Sequence, residues 1–364
     1  MTLDERMNLI RQVGEEIISE EELTKLLEGN EPLIAYDGFE PSGQIHIAQG
    51  LLRAININKM IKAGVKFKML VADWHALTNN KMGGDLEKLK TTGKYFIEVW
   101  RACGMDLKNV EFLWASDMVK DPDYWQLVIR VGMTNKLARF IRTAEFMGRE
   151  DSAEKLTAAQ IMYPCMQIAD IFRLKAKITQ LGMDQRKVNM LAREVGPQLG
   201  FWKPVVVSHH MLMGLGKPPS ASVDRATRTV ENKMSKSNPD NAIFMTDTKE
   251  DIHRKITKAY CPEGEIKDNP VLEYYKYILF ESLDRLGVES IIVDRPTKFG
   301  GSVILNSYQN LEKLFAEKQI HPLDIKHTAI TLLDKLLQPV REHFEKNIFA
   351  KDLLSKVQSF QVTR

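Results

Sequence analysis

The amino-acid sequence predicts an α/β protein in which a parallel sheet carries helices on both faces and is followed by a second, α-helical domain. Three features say so. Over about the first 200 residues, short apolar runs of strand length alternate with longer runs of helical apolar spacing, the pattern of a doubly wound parallel sheet. Residues 220–241 then become rich in Ser, Lys, Arg, Asn and Pro, the composition of a mobile loop or linker. Beyond Asp247 the apolar spacing is helical nearly throughout. With 364 residues, 44% hydrophobic and 27% charged, the chain has the length for two domains and the make-up of an ordinary globular protein.

Taken in order, residues 3–18 read as an opening helix, and Ser19 with Glu22 forms a capping box that starts a second, short one. Residues 33–36 read as a buried strand, Pro41, Ser42 and Gly43 as a turn, and 45–63 as a helix. Further strands are expected at 67–72, 110–114, 178–181 and 205–207, and helices at 86–102, 124–142, 158–174 and 185–195. Residues 116–154 interrupt the alternation with helix alone, which suggests an insertion between two half-sheets. In the second domain, helices are expected at 252–260, 271–286, 311–318 and 323–347, with Pro339 kinking or breaking the last. The expected division is 1–222 for the sheet domain, 223–246 for the loop and linker, and 247–364 for the helical domain.

Composition excludes several classes. The longest apolar stretches, such as 33–36 and 205–207, fall far short of the roughly 20 residues that cross a bilayer. Residues 1–11 carry acids and bases where a secretory signal needs an apolar core, so the cytoplasm is expected. Cys103, Cys165 and Cys261 are too few and too scattered for a disulfide framework or a zinc site. The net charge of +3, from 51 bases and 48 acids, means that a polyanion would have to be met by a local basic surface.

Two segments carry chemistry. In a parallel α/β sheet, ligands sit where a strand's carboxyl end meets the next helix, and residues 41–49 occupy that place after the first strand. His46 and Gln49, three apart, would emerge together from a first helical turn and offer donors to the charge that builds on a nucleotide's phosphates. About 190 residues later come Lys233, Met234, Ser235, Lys236 and Ser237. Two lysines three apart in a loop of small residues serve no apolar face, and can swing onto a pyrophosphate leaving group late in the reaction. Together these segments resemble the two signatures of the class I aminoacyl-tRNA synthetases, a His-Ile-Gly-His element and a Lys-Met-Ser-Lys-Ser loop. The second is unaltered. In the first, Ala48 and Gln49 replace glycine and the second histidine.

On the helix from Ala158, Tyr163, Gln167 and Asp170 share one face, and a phenol, an amide and a carboxylate are not a core stripe. Asp170, among apolar neighbours, is costly to bury without a partner such as a ligand's hydroxyl. Tyr36, at the end of the first strand, can present a second hydroxyl to the same group. Residues 36–43, 163–170 and 182–187 resemble the archaeal and eukaryotic branch of tyrosyl-tRNA synthetases, and the likeness runs nearly the whole length. It implies a Rossmann-like catalytic domain and a helical anticodon-binding domain. It also implies activation of L-tyrosine with ATP, which enters as its Mg2+ complex, and transfer to tRNA(Tyr); no metal held by the protein is expected.

By the same resemblance Tyr36 and Asp170 bind the phenolic hydroxyl, and Tyr163, Gln167 and Gln185 hold the amino and carboxylate end. Gly43, His46, Gly182, Asp184, Lys233 and Lys236 serve ATP, Gly182 and Asp184 near the ribose. Ala72 and His75 lie at the end of the second strand, where they either line the pocket or pack. In the helical domain Phe299 matches an anticodon-stacking position, and His321 and Asp324 lie near the first anticodon base. Arg186, Lys187, Arg139 and Arg142 are candidates for the acceptor end. A homodimer is implied, with Trp125, Val128 and Met133 of the insertion offered as its apolar patch. A tryptophanyl-tRNA synthetase shares the fold and both signatures, but indole has no hydroxyl for Tyr36 and Asp170 to read. The intact lysine loop argues against a silent RNA-binding derivative, and a smaller adenylyltransferase would not need the helical carboxyl-terminal domain.

Overall fold

The computed structural model describes residues 1–146, 156–218, 232, 234 and 238–360. Thr2 and Glu5 cap helix α1 (Leu3–Val13) reciprocally. The helix ends at Val13 and not at residue 18, because Gly14 leaves helical geometry and Gly14–Ile18 forms strand β1. Ser19 and Glu22 make the expected capping box for α2 (Glu20–Glu28). Strands β2 (Ile34–Phe39), β3 (Lys66–Val71), β4 (Val110–Trp114), β5 (Ile178–Thr179) and β6 (Val205–His209) complete a sheet of order β1-β6-β5-β2-β3-β4. Every neighbour is parallel except β1, an antiparallel edge on β6 that the helical reading of residues 14–18 missed.

The intervening helices are α3 (Arg53–Lys62), α4 (Asp73–Thr78), α5 (Leu86–Ala102), α6 (Ala115–Met118), α7 (Pro122–Gly132), α8 (Leu137–Phe146), α9 (Ala158–Arg173) and α10 (Arg186–Gln198). Alternate strand residues feed two separate cores. Ala35, Phe67, Met69 and Val207 join one with Ile10, Ile57 and Val99, while Tyr36 and Leu70 join the other with Tyr124, Ile168 and Val188. Helices therefore cover both faces. The chain winds outward from β2 to β4 and then returns to β5 on the other side of β2. That reversal opens a crevice at the strands' carboxyl ends.

The helix expected at 124–142 is two helices, since α7 stops at Gly132 and α8 restarts at Leu137. Val128 is buried and Trp125 half-buried; the exposed apolar side chains here are Ile129, Met133 and Leu137. Beyond residue 247 helices predominate, but a hairpin of β7 (Ile291–Val293) and β8 (Val303–Leu305) lies among them. Its three-residue strands are too short to show alternation. Pro339 does not interrupt the helix Pro322–Lys346, because Leu333, Leu336, Leu337, Val340 and Phe344 bury one continuous stripe on both sides of it. A last helix, Ile348–Ser359, follows. This part packs on α5: His343 Nε2 lies 2.8 Å from Glu98 Oε2, and the Tyr95 and Phe344 rings are 5.4 Å apart.

Candidate active site

A cavity of about 630 Å³ occupies the crevice between β2 and β5. Tyr36, His46, Gln49, Ala72, His75, Tyr163, Gln167, Asp170, Gly182, Asp184 and Gln185 all line it, so residues from five separate stretches of sequence converge as expected. Gly43 does not; it turns the chain with φ +95°, and its neighbour Ser42 faces the cavity instead.

One end gathers a buried carboxylate, two phenols and an imidazole. Asp170, 1% exposed on α9, accepts a hydrogen bond from Tyr124 of α7 at 2.9 Å through Oδ1. Its Oδ2 lies 2.9 Å from His75 Nε2, although the ring is not aligned for a hydrogen bond, so the contact acts through charge. Burial works against a charge on His75, but Asp170, Glu40 and Asp73 outweigh it and raise the imidazole's affinity for its proton. Tyr36, 1% exposed, has its phenol pushed well above the ordinary range, first by burial and then by the charges of Asp170 and Asp37. It therefore remains a hydrogen-bond donor. Tyr124 was invisible to motif reasoning because its link to Asp170 crosses from one helix to another.

Further along α9 the polar groups change character. Tyr163 donates to Glu40 Oε1 at 2.7 Å, and Asn79 donates to the same oxygen at 2.6 Å. Gln167 Nε2 donates to Gln185 Oε1 at 3.1 Å, which ties the helix face to the turn Met183–Gln185. Here a carboxylate, two amides and a phenol surround a space suited to an ammonium group.

At the other end the backbone departs from the sequence expectation. His46 opens the turn at a bridge: its backbone pairs antiparallel with Phe244, its carbonyl accepts from Gln49 and Gly50 N–H at 2.9 Å, and the π-helical turn Ala48–Leu52 follows. Ile47 N–H donates to Ile243 O at 2.8 Å and Met245 N–H to Ile45 O at 3.0 Å. Gly50 permits this approach, since a Cβ there would stand 2.5 Å from Met245 Cγ. The segment holding His46 is thus stitched to the chain just after the lysine loop. Lys233 and Lys236 lie outside the described residues, but Met234 between them is buried, lines the cavity and donates its N–H to Leu212 O at 2.9 Å. Gln49 Oε1 is buried without a partner among the described residues, as a group reserved for a ligand would be.

Beneath this end lies a network that no motif signalled. Arg53 Nη2 lies 2.6 Å from Asp37 Oδ2, both buried, and burial pushes the Asp37 carboxyl up to about 6 against the pull of Arg53. Arg53 Nη1 lies 3.2 Å from His209 Nδ1 at the end of β6. Gly182 bridges His209, and a Cβ there would stand 2.4 Å from Met211 Sδ, so any larger residue would push the Met211 side chain aside.

Phe299, 60% exposed, sits at the tip of the β7–β8 hairpin under Lys298 Nζ, 4.9 Å from its ring centre. His321 caps the helix Pro322–Lys346 by accepting from Leu323 N–H, and Asp324 lies in its first turn. Arg295 links the two places, donating to Gly301 O at 3.0 Å and Gln319 O at 2.6 Å. Arg186 is held by Glu16 at 2.7 Å and Arg139 by Glu194 at 2.7 Å, while Lys187 and Arg142 are exposed.

The family profile described as tRNA synthetases class I (W and Y) matches residues 28–338. Cytoplasmic tyrosine–tRNA ligase 1 of Arabidopsis thaliana is 47% identical, with 100% of this chain and 90% of that protein covered. Tyrosine–tRNA ligase of Sulfolobus acidocaldarius is 39% identical over 100% of both. The tyrosyl-tRNA synthetase of Pyrococcus horikoshii, solved with L-tyrosine, superposes with a TM-score of 0.89 at 38% identity, covering 98% of this chain and 100% of that one. A tryptophanyl-tRNA synthetase from Aeropyrum pernix K1 has a TM-score of 0.68 at 19% identity over 94% of this chain and 86% of that one, a likeness of fold alone.

Proposed function

The chain belongs to the tyrosyl-tRNA synthetases of class I, aminoacyl-tRNA ligases that join tyrosine to its transfer RNA, and we propose a division of labour among its residues. Tyr36 donates to the substrate's phenolic oxygen and Asp170 accepts its hydrogen. Tyr163, Gln167 and Gln185 hold the amino and carboxylate end, with Glu40 as the counter-charge of the ammonium. ATP enters with its Mg2+ at the His46 end, Asp184 beside the ribose and Gly182 giving it room. The tyrosine carboxylate oxygen attacks the α-phosphorus, and the bond to pyrophosphate breaks. His46, Gln49, Lys233 and Lys236 stabilise the charge that develops. A terminal ribose hydroxyl of the transfer RNA then attacks the carbonyl carbon and AMP leaves.

The observation that carries this reading is the pairing of Tyr36, a locked donor, with Asp170, an acceptor oriented from behind by Tyr124, in one buried wall. A second observation supports the division into domains: the hairpin tip with Phe299 and the helix start with His321 and Asp324 are bridged by Arg295. We assign residues 1–222 to catalysis, 223–246 to the loop and 247–364 to reading the anticodon. Exposed Ile129, Met133 and Leu137 support a homodimer through α7 and α8. No helix among the described residues is long and apolar enough to cross a membrane, and the cytoplasmic Arabidopsis relative supports the same compartment. Exchange of pyrophosphate into ATP, tried with each amino acid, tests the assignment: tyrosine alone should drive it, and dependence on tryptophan or on no amino acid would overturn it.

A further inference from the structure

We propose that His209 binds the nucleotide as a neutral hydrogen-bond donor, offering Nε2–H to a ribose hydroxyl oxygen, and that Arg53 is the positioning residue that fixes this tautomer. The inference rests on the placing of ATP beside Gly182 and Asp184. His209 ends β6, its N–H bonded to Leu181 O at 2.9 Å and its backbone bridged to Gly182, so the ring is held over the strip assigned to the ribose. Its Nδ1 meets two donors, Arg53 Nη1 at 3.2 Å and Gln180 Nε2 at 3.1 Å. A guanidinium has hydrogens to give and no lone pair to share, so Nδ1 must accept and the ring's own hydrogen resides on Nε2.

Asp184 is the carboxylate on the Nε2 side, where a Cβ on Gly182 would stand 2.7 Å from its Oδ1, and the positive charges face the ring from elsewhere. Burial is the main influence holding the imidazole well below its usual range, and Arg53 from α3 and His210 from the same segment oppose a second positive charge as well. Asp37 is already engaged with Arg53. Nε2 faces the cavity, about where a Cβ on Gly182 would come within 3.4 Å of it. Among the described residues it has no hydrogen-bond partner. A neutral donor suits a hydroxyl oxygen, which needs no opposing charge.

His209→Asn tests the idea in the full-length enzyme, because its short amide can still receive Arg53 in the place of Nδ1 but cannot reach as Nε2 does. Loss of one neutral hydrogen bond should raise KM for ATP roughly three- to tenfold in pyrophosphate exchange, with KM for tyrosine unchanged. His209→Gln, whose amide nitrogen falls near the position of Nε2, should restore part of the affinity. Wild-type enzyme should also discriminate against 2′-deoxy-ATP or 3′-deoxy-ATP, and His209→Asn should lose that discrimination for one of them. Imidazole nitrogen shifts should report a neutral Nε2–H ring at pH 6. An imidazolium there, or a folded His209→Asn with unaltered KM for ATP, overturns the proposal. A merely structural histidine would instead lower the melting temperature and raise both KM values. Wild-type enzyme that exchanges pyrophosphate with no amino acid would refute the functional assignment and not this one.

Discussion

Tyr124 donates its phenolic hydrogen to Asp170 Oδ1 over 2.9 Å, so the carboxylate proposed to read the substrate is itself aimed by a second tyrosine. A carboxylate has four lone-pair sites. Tyr124 takes one and His75 faces the other oxygen, which leaves acceptor capacity directed at the cavity.

Replacing Tyr36 and Asp170 together with small apolar residues should abolish tyrosine activation and admit phenylalanine and para-substituted analogues. Each lost hydrogen bond is worth on the order of 1 to 3 kcal/mol, the one to the carboxylate at the upper end. The measurement is the ratio of tyrosine to phenylalanine activation in a variant shown to be folded. An unchanged ratio means that these two residues do not read the hydroxyl.

Tyr124→Phe keeps the ring and deletes only the donor to Asp170. A carboxylate freed to rotate should cost tyrosine affinity severalfold and lower the preference over phenylalanine, while KM for ATP holds. Equal loss for both amino acids would reduce Tyr124 to a packing role.

Lys236→Ala should slow adenylate formation far more than it weakens tyrosine binding, because the role proposed for it is to neutralise the leaving pyrophosphate late in the reaction. His46→Ala should do likewise. Its segment is stitched to residues 243–245, so its position does not depend on tyrosine. Rapid-quench measurement of the first turnover separates the steps, and a normal burst in either variant contradicts its assignment.

Phe299→Ala and Asp324→Ala should raise KM for transfer RNA and leave pyrophosphate exchange intact, because both lie on the hairpin tip and helix start joined by Arg295. Comparable damage to the two reactions would place them in the catalytic machinery or the core.

What the sequence disclosed follows from how local each signal is. Tyr163, Gln167 and Asp170 were legible because helical periodicity alone puts them on one face; Tyr36 was legible as a strand residue, but the strand expected to end there runs on to Phe39, so Tyr36 lies within it. Tyr124, Arg53 and His209 were not, because their meaning lies in partners 46, 156 and 29 residues away. Strand β1 hid behind helix-compatible side chains, and only Gly14 marked the change. Pro339 misled for the opposite reason: a local breaker was overridden by the buried stripe on both sides of it.

His210 supplies the pH prediction. Its Nδ1 lies 2.9 Å from Glu15 of β1 and its Nε2 3.0 Å from Glu273 of the helix Pro270–Tyr274, and its ring stacks on Tyr277 at 4.1 Å. One imidazole therefore joins the sheet's edge to the helical part, just ahead of the segment that leads to the lysine loop. Burial disfavours its charge, but Glu273 and Glu15 outweigh burial and raise it to about 9. The folded value lies above the unfolded one of roughly 6.5. The stabilisation is therefore complete below about pH 6.5 and is lost as pH rises through about 9. Lysines, tyrosines and cysteines titrate near there too, so the readout is a difference between proteins. The urea midpoint of the wild type should fall more between pH 6.5 and 9.5 than that of His210→Gln, whose neutral amide cannot titrate. If the two midpoints fall in parallel, a charge on His210 contributes nothing to the stability of the junction.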